Sequence, residues 1–224
     1  MPGYSTRNLL LNVGGHPWHL RVLSDTQQYA DPDGHGERMG ISSAQWSLFG
    51  QVWPSGQRLA QAMQDFDIAG KRILELGCGI GLASLVLQRR GASVVASDIH
   101  PLADAFLAYN SALNALPAVH YRQLSWDVPL ETLGRFDLII GSDLLYERGQ
   151  PERLGAVIER HALPEAEVLL TDPGRGHSAR FSKVLAAQGF ALEASRSSVD
   201  GEDDETSGGH VLHYRRAAVM SLPS

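Results

Sequence analysis

The chain predicts an α/β protein built on a doubly wound, mostly parallel sheet of seven strands. Three observations carry that prediction. Short apolar runs alternate with helical patterns from about residue 55 to about residue 190, the order that builds parallel strand–helix–strand units. One of those runs, Ile73-Leu74-Glu75-Leu76, breaks into Gly77-Cys78-Gly79-Ile80-Gly81 and then resumes as an apolar helix-forming stretch. That is a buried strand, a tight turn and a helix start. The last two apolar runs have no helix between them, so they should pair antiparallel.

Taken in order, residues 8–13 and 18–23 flank Gly14-Gly15-His16-Pro17 and predict a hairpin. Residues 24–45 are polar and turn-rich, with Asp31-Pro32-Asp33-Gly34 the clearest turn; the segment reads as a lid or as a plain connection. Leu59, Ala60, Met63 and Phe66 share one helical face within residues 55–66. The sheet then begins at 72–76. A helix over 80–90 stops at Gly91, a natural C-terminal residue. Strand two is placed at 93–97, a helix at 102–114, and strands three and four at 119–124 and 136–141. A helix over 151–161 opens on Pro151. Strand five, 167–171, is closed by Asp172-Pro173-Gly174, and a helix over 177–188 ends at Gly189. Strands six and seven are placed at 190–197 and 210–216, joined by the acidic run Asp200-Gly201-Glu202-Asp203-Asp204-Glu205, which reads as a solvated hairpin loop. No internal repeat stands out. The expected organisation is a hairpin-plus-loop extension over 1–50 packed on a core domain over 51–224.

The 224 residues suit one domain with a sizeable core, and 43% hydrophobic with 20% charged residues suits a globular, soluble protein. No apolar run approaches the ~20 residues of a membrane span, and Met1 to Arg7 lacks the pattern of a secretory signal. No membrane partner is expected. Cys78 is the only cysteine. An internal disulfide is therefore impossible, and a reducing cytoplasm is the expected home. The net charge of −6 disfavours a broad nucleic-acid surface. His16/His19 and His210/His213 stand without cysteine or acidic companions, so no metal is expected.

The glycine turn is built to hold a nucleotide-like ligand, because glycine lets backbone approach where a side chain would clash and a helix start offers free N–H groups. A dinucleotide fingerprint needs its third glycine at position 82, which is Leu82. Glu75 would sit badly beside a pyrophosphate and well beside a cationic amino group. The ligand should carry an amine, and S-adenosylmethionine fits. Asp98 ends the second strand about twenty residues past the glycines, where such folds place a carboxylate on ribose hydroxyls. A helix-capping role ahead of Pro101 is the simpler alternative. Cys78 reads as a small residue of the turn, not as a nucleophile.

At this point the chain resembles the seven-strand, Rossmann-like class I methyltransferases that use S-adenosylmethionine. More narrowly, it is similar to the branch of protein-lysine methyltransferases with an Asp-x-x-Tyr signature. Val52-Trp53-Pro54-Ser55-Gly56, the glycine turn with Asp98, and Gly141-Ser142-Asp143-Leu144-Leu145-Tyr146 carry the resemblance, over roughly residues 50 to 175. It implies that Trp53 helps close the cofactor site, that Glu75, Gly77 and Gly79 line its methionine end, and that Cys78 is among the cofactor-binding residues. Asp98 would take the ribose, Trp126 would border the adenine, and Ser142 would lie against the cofactor. Asp143 and Tyr146 would face the methyl group and its acceptor. Trp53, Trp126 and Tyr146 could instead be plain core aromatics, and Asp143 a helix cap. Asp172 and Arg175 lie just after strand five, on the same edge of the sheet, and could touch substrate or serve only the Pro-Gly turn. The N-terminal hairpin and loop depart from the family's pattern, in the region that shapes the acceptor pocket.

The implied function is methyl transfer to a lysine side chain of a protein, leaving S-adenosylhomocysteine. A free lysine has a pKa of ~10.4, so a neutral amine at pH 7 costs about 4.6 kcal/mol. An apolar pocket lowers that cost, whereas Asp143 would raise it, so Asp143 is better suited to orienting the amine and stabilising charge that develops on nitrogen. A small-molecule methyltransferase, a protein-histidine or protein-arginine methyltransferase and a non-catalytic cofactor-binding module remain open alternatives. Leu82 and Glu75 speak against a nicotinamide oxidoreductase. The sequence names neither the acceptor nor the oligomeric state.

Overall fold

The computed structural model describes residues 3–197 and 209–217. The acidic run at 200–205 lies outside the described residues. Strands β1 (Thr6–Val13) and β2 (His16–Leu23) form a two-stranded antiparallel hairpin. Its turn is only Gly14-Gly15, both left-handed at φ 61° and 73°, the geometry of the tightest hairpin turns. His16 and Pro17, expected in the turn, therefore belong to β2.

A short helix α1 (His35–Arg38), a 3-10 turn (Trp46–Gly50) and helix α2 (Pro54–Asp65) lead to the main sheet. That sheet contains β3 (Arg72–Leu76), β4 (Ser93–Asp98), β5 (His120–Gln123), β6 (Phe136–Ser142), β7 (Ala162–Asp172), β8 (Ala191–Ser197) and β9 (His210–Arg216). The spatial order is β5-β4-β3-β6-β7-β9-β8. All pairs are parallel except those of β9, which runs antiparallel to both β7 and β8. Helices α3 (Leu82–Arg89), α4 (Ala103–Leu113), α5 (Gln150–His161) and α6 (Ser178–Ala187) connect the parallel strands. Strand β7 is longer than the sequence pattern suggested, because its first turn of chain, from Ala162, already pairs with Phe136. Among the described residues, no helix is long and apolar enough to cross a membrane.

Alternation along the strands divides the apolar residues between two cores, as a pleat with period two requires. Ile73, Leu138, Ile140 and Leu169 face α2, α3 and α4, in a core that also takes Val13, Trp18 and Leu20 of the hairpin. Leu74, Ile139, Val168 and Leu170 face α5 and α6. Burying each such side chain contributes roughly 1.5–3 kcal/mol. The hairpin is fixed by polar contacts as well. Asn110 on α4 and Asn114 just past its end, one turn apart, each bond the N–H and the C=O of one β2 residue, Arg21 and His19 respectively. Helix α4 thus finishes the outer edge of β2 as another strand would.

The strand order reverses between β3 and β6: from β3 the chain moves outward to β4 and β5, then returns to β6. Open α/β sheets bind ligands in the crevice at the carboxyl ends of the strands on either side of such a reversal.

Candidate active site

A cavity of about 640 Å³ lies at that crevice, and Trp53, Glu75, Gly77, Cys78, Gly79, Asp98, Trp126, Ser142, Asp143 and Tyr146 all line it. That is the size range of small-molecule sites. The structure therefore brings all ten residues singled out from the sequence to one place, from four strand ends and the start of α2.

The glycine turn forms the floor. Gly79 is left-handed at φ 53°, and a Cβ there would lie 2.7 Å from the carbonyl oxygen of Phe49. Gly81 caps α3 at φ 84°, and its Cβ would lie 2.2 Å from Leu107, so this third glycine serves close packing of α4. With Gly79 and Gly81 both left-handed, α3 starts at Leu82 and not at 80 as expected. Glu75 is buried at the end of β3, and its Oε2 accepts from the Ser84 N–H at 3.0 Å and from the Ser84 hydroxyl. Glu75 thus caps the helix that follows it, a role its sequence position did not reveal. Burial pushes its carboxyl up to about 7; the Ser84 bonds oppose the rise and nearby Asp98 adds to it.

Asp98 does not cap α4, which starts at Ala103; it braces the backbone on either side of itself and faces the cavity. Its Oδ2 accepts from the Gly79 N–H and its Oδ1 from the His100 N–H, both at 2.8 Å, and it lines the cavity. Burial raises its pKa and the backbone N–H groups pull the other way. Pro101 precedes the helix without opening it, since α4 begins at Ala103. Cys78 is buried, and its thiol pKa is pushed well up, by burial first and then by Asp98 and Glu75, which keeps it protonated and unreactive.

Trp53 immediately precedes Pro54 at the start of α2 and donates its indole N–H to the Leu48 carbonyl at 2.9 Å. That bond ties the 3-10 turn to the cavity wall. Phe49 on this turn stacks on His100 with ring centroids 3.7 Å apart, and Trp46 meets the same ring edge-on. His100 Nδ1 accepts from the Leu102 N–H, and burial lowers its pKa to about 3, so the ring is neutral. This aromatic wall was missed in the sequence; the only trace of it is Trp46 and Phe49 at helical spacing in a polar stretch.

The other end of the cavity is formed by the turns after β6 and β7. Asp143 has left-handed backbone at φ 50° and donates its N–H to the Thr171 carbonyl at 2.8 Å. Aspartate tolerates that conformation better than most residues. Both of its carboxylate oxygens accept from Arg175, at 3.1 and 3.0 Å. The N–H groups of Tyr146 and Glu147 donate to Gln150 Oε1 at 2.7 and 3.0 Å, which anchors their loop to the first turn of α5. Tyr146 remains 43% exposed, and partial burial of its phenol raises its pKa. Gln45 donates to Glu147 at 2.9 Å, and Arg153 forks onto Asp127. Asp172 does not line the cavity: it is buried and accepts from the Gly174 N–H at 3.1 Å. Only Arg175 of that pair faces the site.

The donor set fits an adenosyl thioether bearing an amino group. Two buried carboxylates at the glycine turn suit hydroxyls and a cation. A free cation that paired phosphates would call for is missing among the described residues: no lysine of theirs lines the cavity, and the lining arginines Arg153 and Arg175 are each held on a carboxylate, Asp127 and Asp143.

Comparison with known proteins agrees with this geometry. A family model described as lysine methyltransferase matches residues 41–185. The electron transfer flavoprotein beta subunit lysine methyltransferase of Mus musculus is 31% identical over 147 residues, covering 62% of this chain and 56% of the relative. The chain thus spans little more than half the length of that relative. EEF1A lysine methyltransferase 3 of Mus musculus is 29% identical over 187 residues, covering 80% of this chain and 74% of the relative. A 16S rRNA methyltransferase of T. thermophilus, solved in complex with AdoMet and guanosine, shares the fold with a TM-score of 0.61 at 19% identity, over 95% of this chain and 51% of its own. By the extent of the family match, with the Asp143–Tyr146 signature and the glycine turn both inside it, the chain belongs to the lysine methyltransferase family.

Proposed function

We propose that the protein transfers a methyl group from S-adenosylmethionine to the side-chain amine of a lysine in a protein, leaving S-adenosylhomocysteine. The observation that carries this reading is the juxtaposition, in one cavity, of the glycine turn flanked by buried Glu75 and Asp98 with Asp143 and Tyr146 at the opposite end. The names of the relatives, which specify lysine in two different target proteins, support the acceptor class. A ubiquinone biosynthesis O-methyltransferase of Pseudomonas aeruginosa, 32% identical over 124 residues, keeps a small-molecule acceptor as the second reading.

S-adenosylmethionine supplies a methyl group already activated on a sulfonium sulfur, so the residues of the chain have mainly to align donor and acceptor. In this reading Glu75 and Asp98 hold the amino and ribose groups, Gly77, Cys78 and Gly79 give them close backbone approach, and Trp126 borders the base. Trp53 and Ser142 close the site around the donor. The acceptor nitrogen approaches along Asp143 and Tyr146. Asp143 keeps unused lone pairs beyond those taken by Arg175, and these can orient an N–H and stabilise the charge that grows on nitrogen. The Tyr146 ring covers the acceptor stem.

We further propose that residues 1–50 are an extension on a methyltransferase domain over 51–224, with Met39–Gly50 serving as a wall of the site. The single buried cysteine suits a reducing cytoplasm, and the net charge of −6 suits a protein partner better than nucleic acid. The test is methylation of a lysate from a strain lacking this gene, with isotope-labelled donor and mass spectrometry of the products. Label on lysine of one or a few proteins supports the reading. Label confined to small solutes, or to histidine or arginine, replaces it.

A further inference from the structure

Asp143 does not present a bare carboxylate to the acceptor. Arg175 Nε and Nη2 meet its two oxygens in a parallel fork, at 3.1 and 3.0 Å, the strongest common arrangement for this pair of groups. The Asp143 side chain is 15% exposed and that of Arg175 is 50% exposed. The chain around Arg175 is shaped for the reach: Gly174 and Gly176 on either side are left-handed at φ 91° and 86°. Asp172 pins the turn through the Gly174 N–H. Two turns, from neighbouring parallel strands and thirty-two residues apart, are thus tied together inside the cavity.

The consequence is electrostatic. An unmasked carboxylate at the acceptor's seat stabilises an ammonium, whose lone pair is bound to a proton and cannot attack. A guanidinium fixed on that carboxylate offsets much of its charge and weakens its pull on a full second cation, while the lone pairs that Arg175 leaves can still accept from the acceptor N–H. We infer that Arg175 is a positioning and specificity-determining residue that masks Asp143, so that the seat refuses a protonated amine and takes the neutral one. This inference rests on the reading of the cavity as a lysine methyl-transfer site. Other charged or titratable groups near the pair are Asp172 at the end of β7, His210 on β9, Arg58 on α2 (its guanidinium beside Gly209), Tyr146 and Glu147 on the loop after β6, and Arg153 on α5. Glu147 is engaged by Gln45 and Arg153 by Asp127, and Arg175 is the cation that bonds both oxygens of Asp143.

The test uses the full chain loaded with S-adenosylhomocysteine, titrated by calorimetry at pH 7 with n-butylammonium and, separately, with neutral n-pentanol. Arg175→Gln is expected to bind the cation about tenfold or more tighter than the parent, with pentanol affinity unchanged. Arg175→Lys, which keeps the charge, should stay close to the parent. Arg175→Met repeats the charge loss should the Gln variant fold poorly. Equal cation affinity in the parent and the uncharged variants overturns the inference. In turnover, the rising limb of rate against pH should move by about one unit or more to the alkaline side in Arg175→Gln. A uniform loss at every pH also overturns it. If label never enters lysine while the contrast in cation binding holds, the lysine reading fails and the masking of Asp143 by Arg175 stands.

Discussion

The two ends of the cavity hold their charges in opposite ways. At the glycine-turn end, the buried carboxylates Glu75 and Asp98 take backbone N–H groups of Ser84, Gly79 and His100. At the other end, Asp143 and Glu147 take the long side chains of Arg175 and Gln45. Backbone partners move only if the fold moves. Side-chain partners can exchange by rotation, at little cost where both groups reach water. One end is therefore fixed by the fold, and the other can be retuned by substitution without disturbing it. That division suits a family that keeps one methyl donor and changes its acceptors.

Substitutions can break this contrast. The largest effect is expected from Asp143→Asn, which should lower methyl transfer by about 10²–10³-fold and leave donor affinity within about twofold. Initial rates and calorimetry together decide it. An equal loss in donor affinity would mean that the two ends are not separate.

Glu75 should reveal itself through pH. Burial raises its folded-state pKa from the usual 4.5 to about 7. The folded chain then binds this proton more readily than the unfolded chain does. The contribution of Glu75 to stability is fullest below about pH 4.5 and is lost as pH rises through about 7, by on the order of 3 kcal/mol. Urea unfolding at several pH values should show that decline as the difference between the parent and Glu75→Gln, which lacks the proton. An identical slope in the variant would assign the proton elsewhere. The same group predicts that a cationic donor, by favouring the ionised carboxylate, releases protons on binding near pH 6, which calorimetry in two buffers of different ionisation enthalpy measures.

Gly79→Ala should cost about 1–3 kcal/mol, because its Cβ meets the fixed Phe49 carbonyl and the backbone stays left-handed. It should also weaken donor binding. Wild-type stability in this variant would mean that the turn relaxes freely. The smallest effect belongs to an exposed ion pair on the rim: Arg153 and Asp127 are 43% and 58% exposed, so Arg153→Ala should change stability by less than about 1 kcal/mol. A larger loss would show that the exposed rim is also part of the framework.

What was legible in the sequence follows the same division. The glycine turn, Asp98, Trp53-Pro54 and the Asp143–Tyr146 signature are local strings, and each string fixes its own backbone. They could be placed on strand ends because apolar periodicity located those ends within a few residues. The contacts that lie outside these strings join distant segments. Arg175 reaches Asp143 across thirty-two residues, Gln45 reaches Glu147 across 102, and Asn110 meets Arg21 across 89. No spacing rule connects such pairs, since their distance is set by how β6, β7 and α4 pack. The Phe49–His100 stack escaped for the same reason. Glu75 shows a subtler limit: its partner Ser84 is nine residues on, yet the bond exists only because the turn folds α3 back over β3.

The central claim is that the cavity between the glycine turn and Asp143 receives a positively charged adenosyl thioether. Calorimetry of the purified chain with S-adenosylmethionine, S-adenosylhomocysteine and a nicotinamide dinucleotide tests it most directly. Saturable binding of the first two, weakened by Gly79→Ala, with none of the third, is the predicted result. Tight binding of the dinucleotide with no uptake of the methyl donor would contradict it.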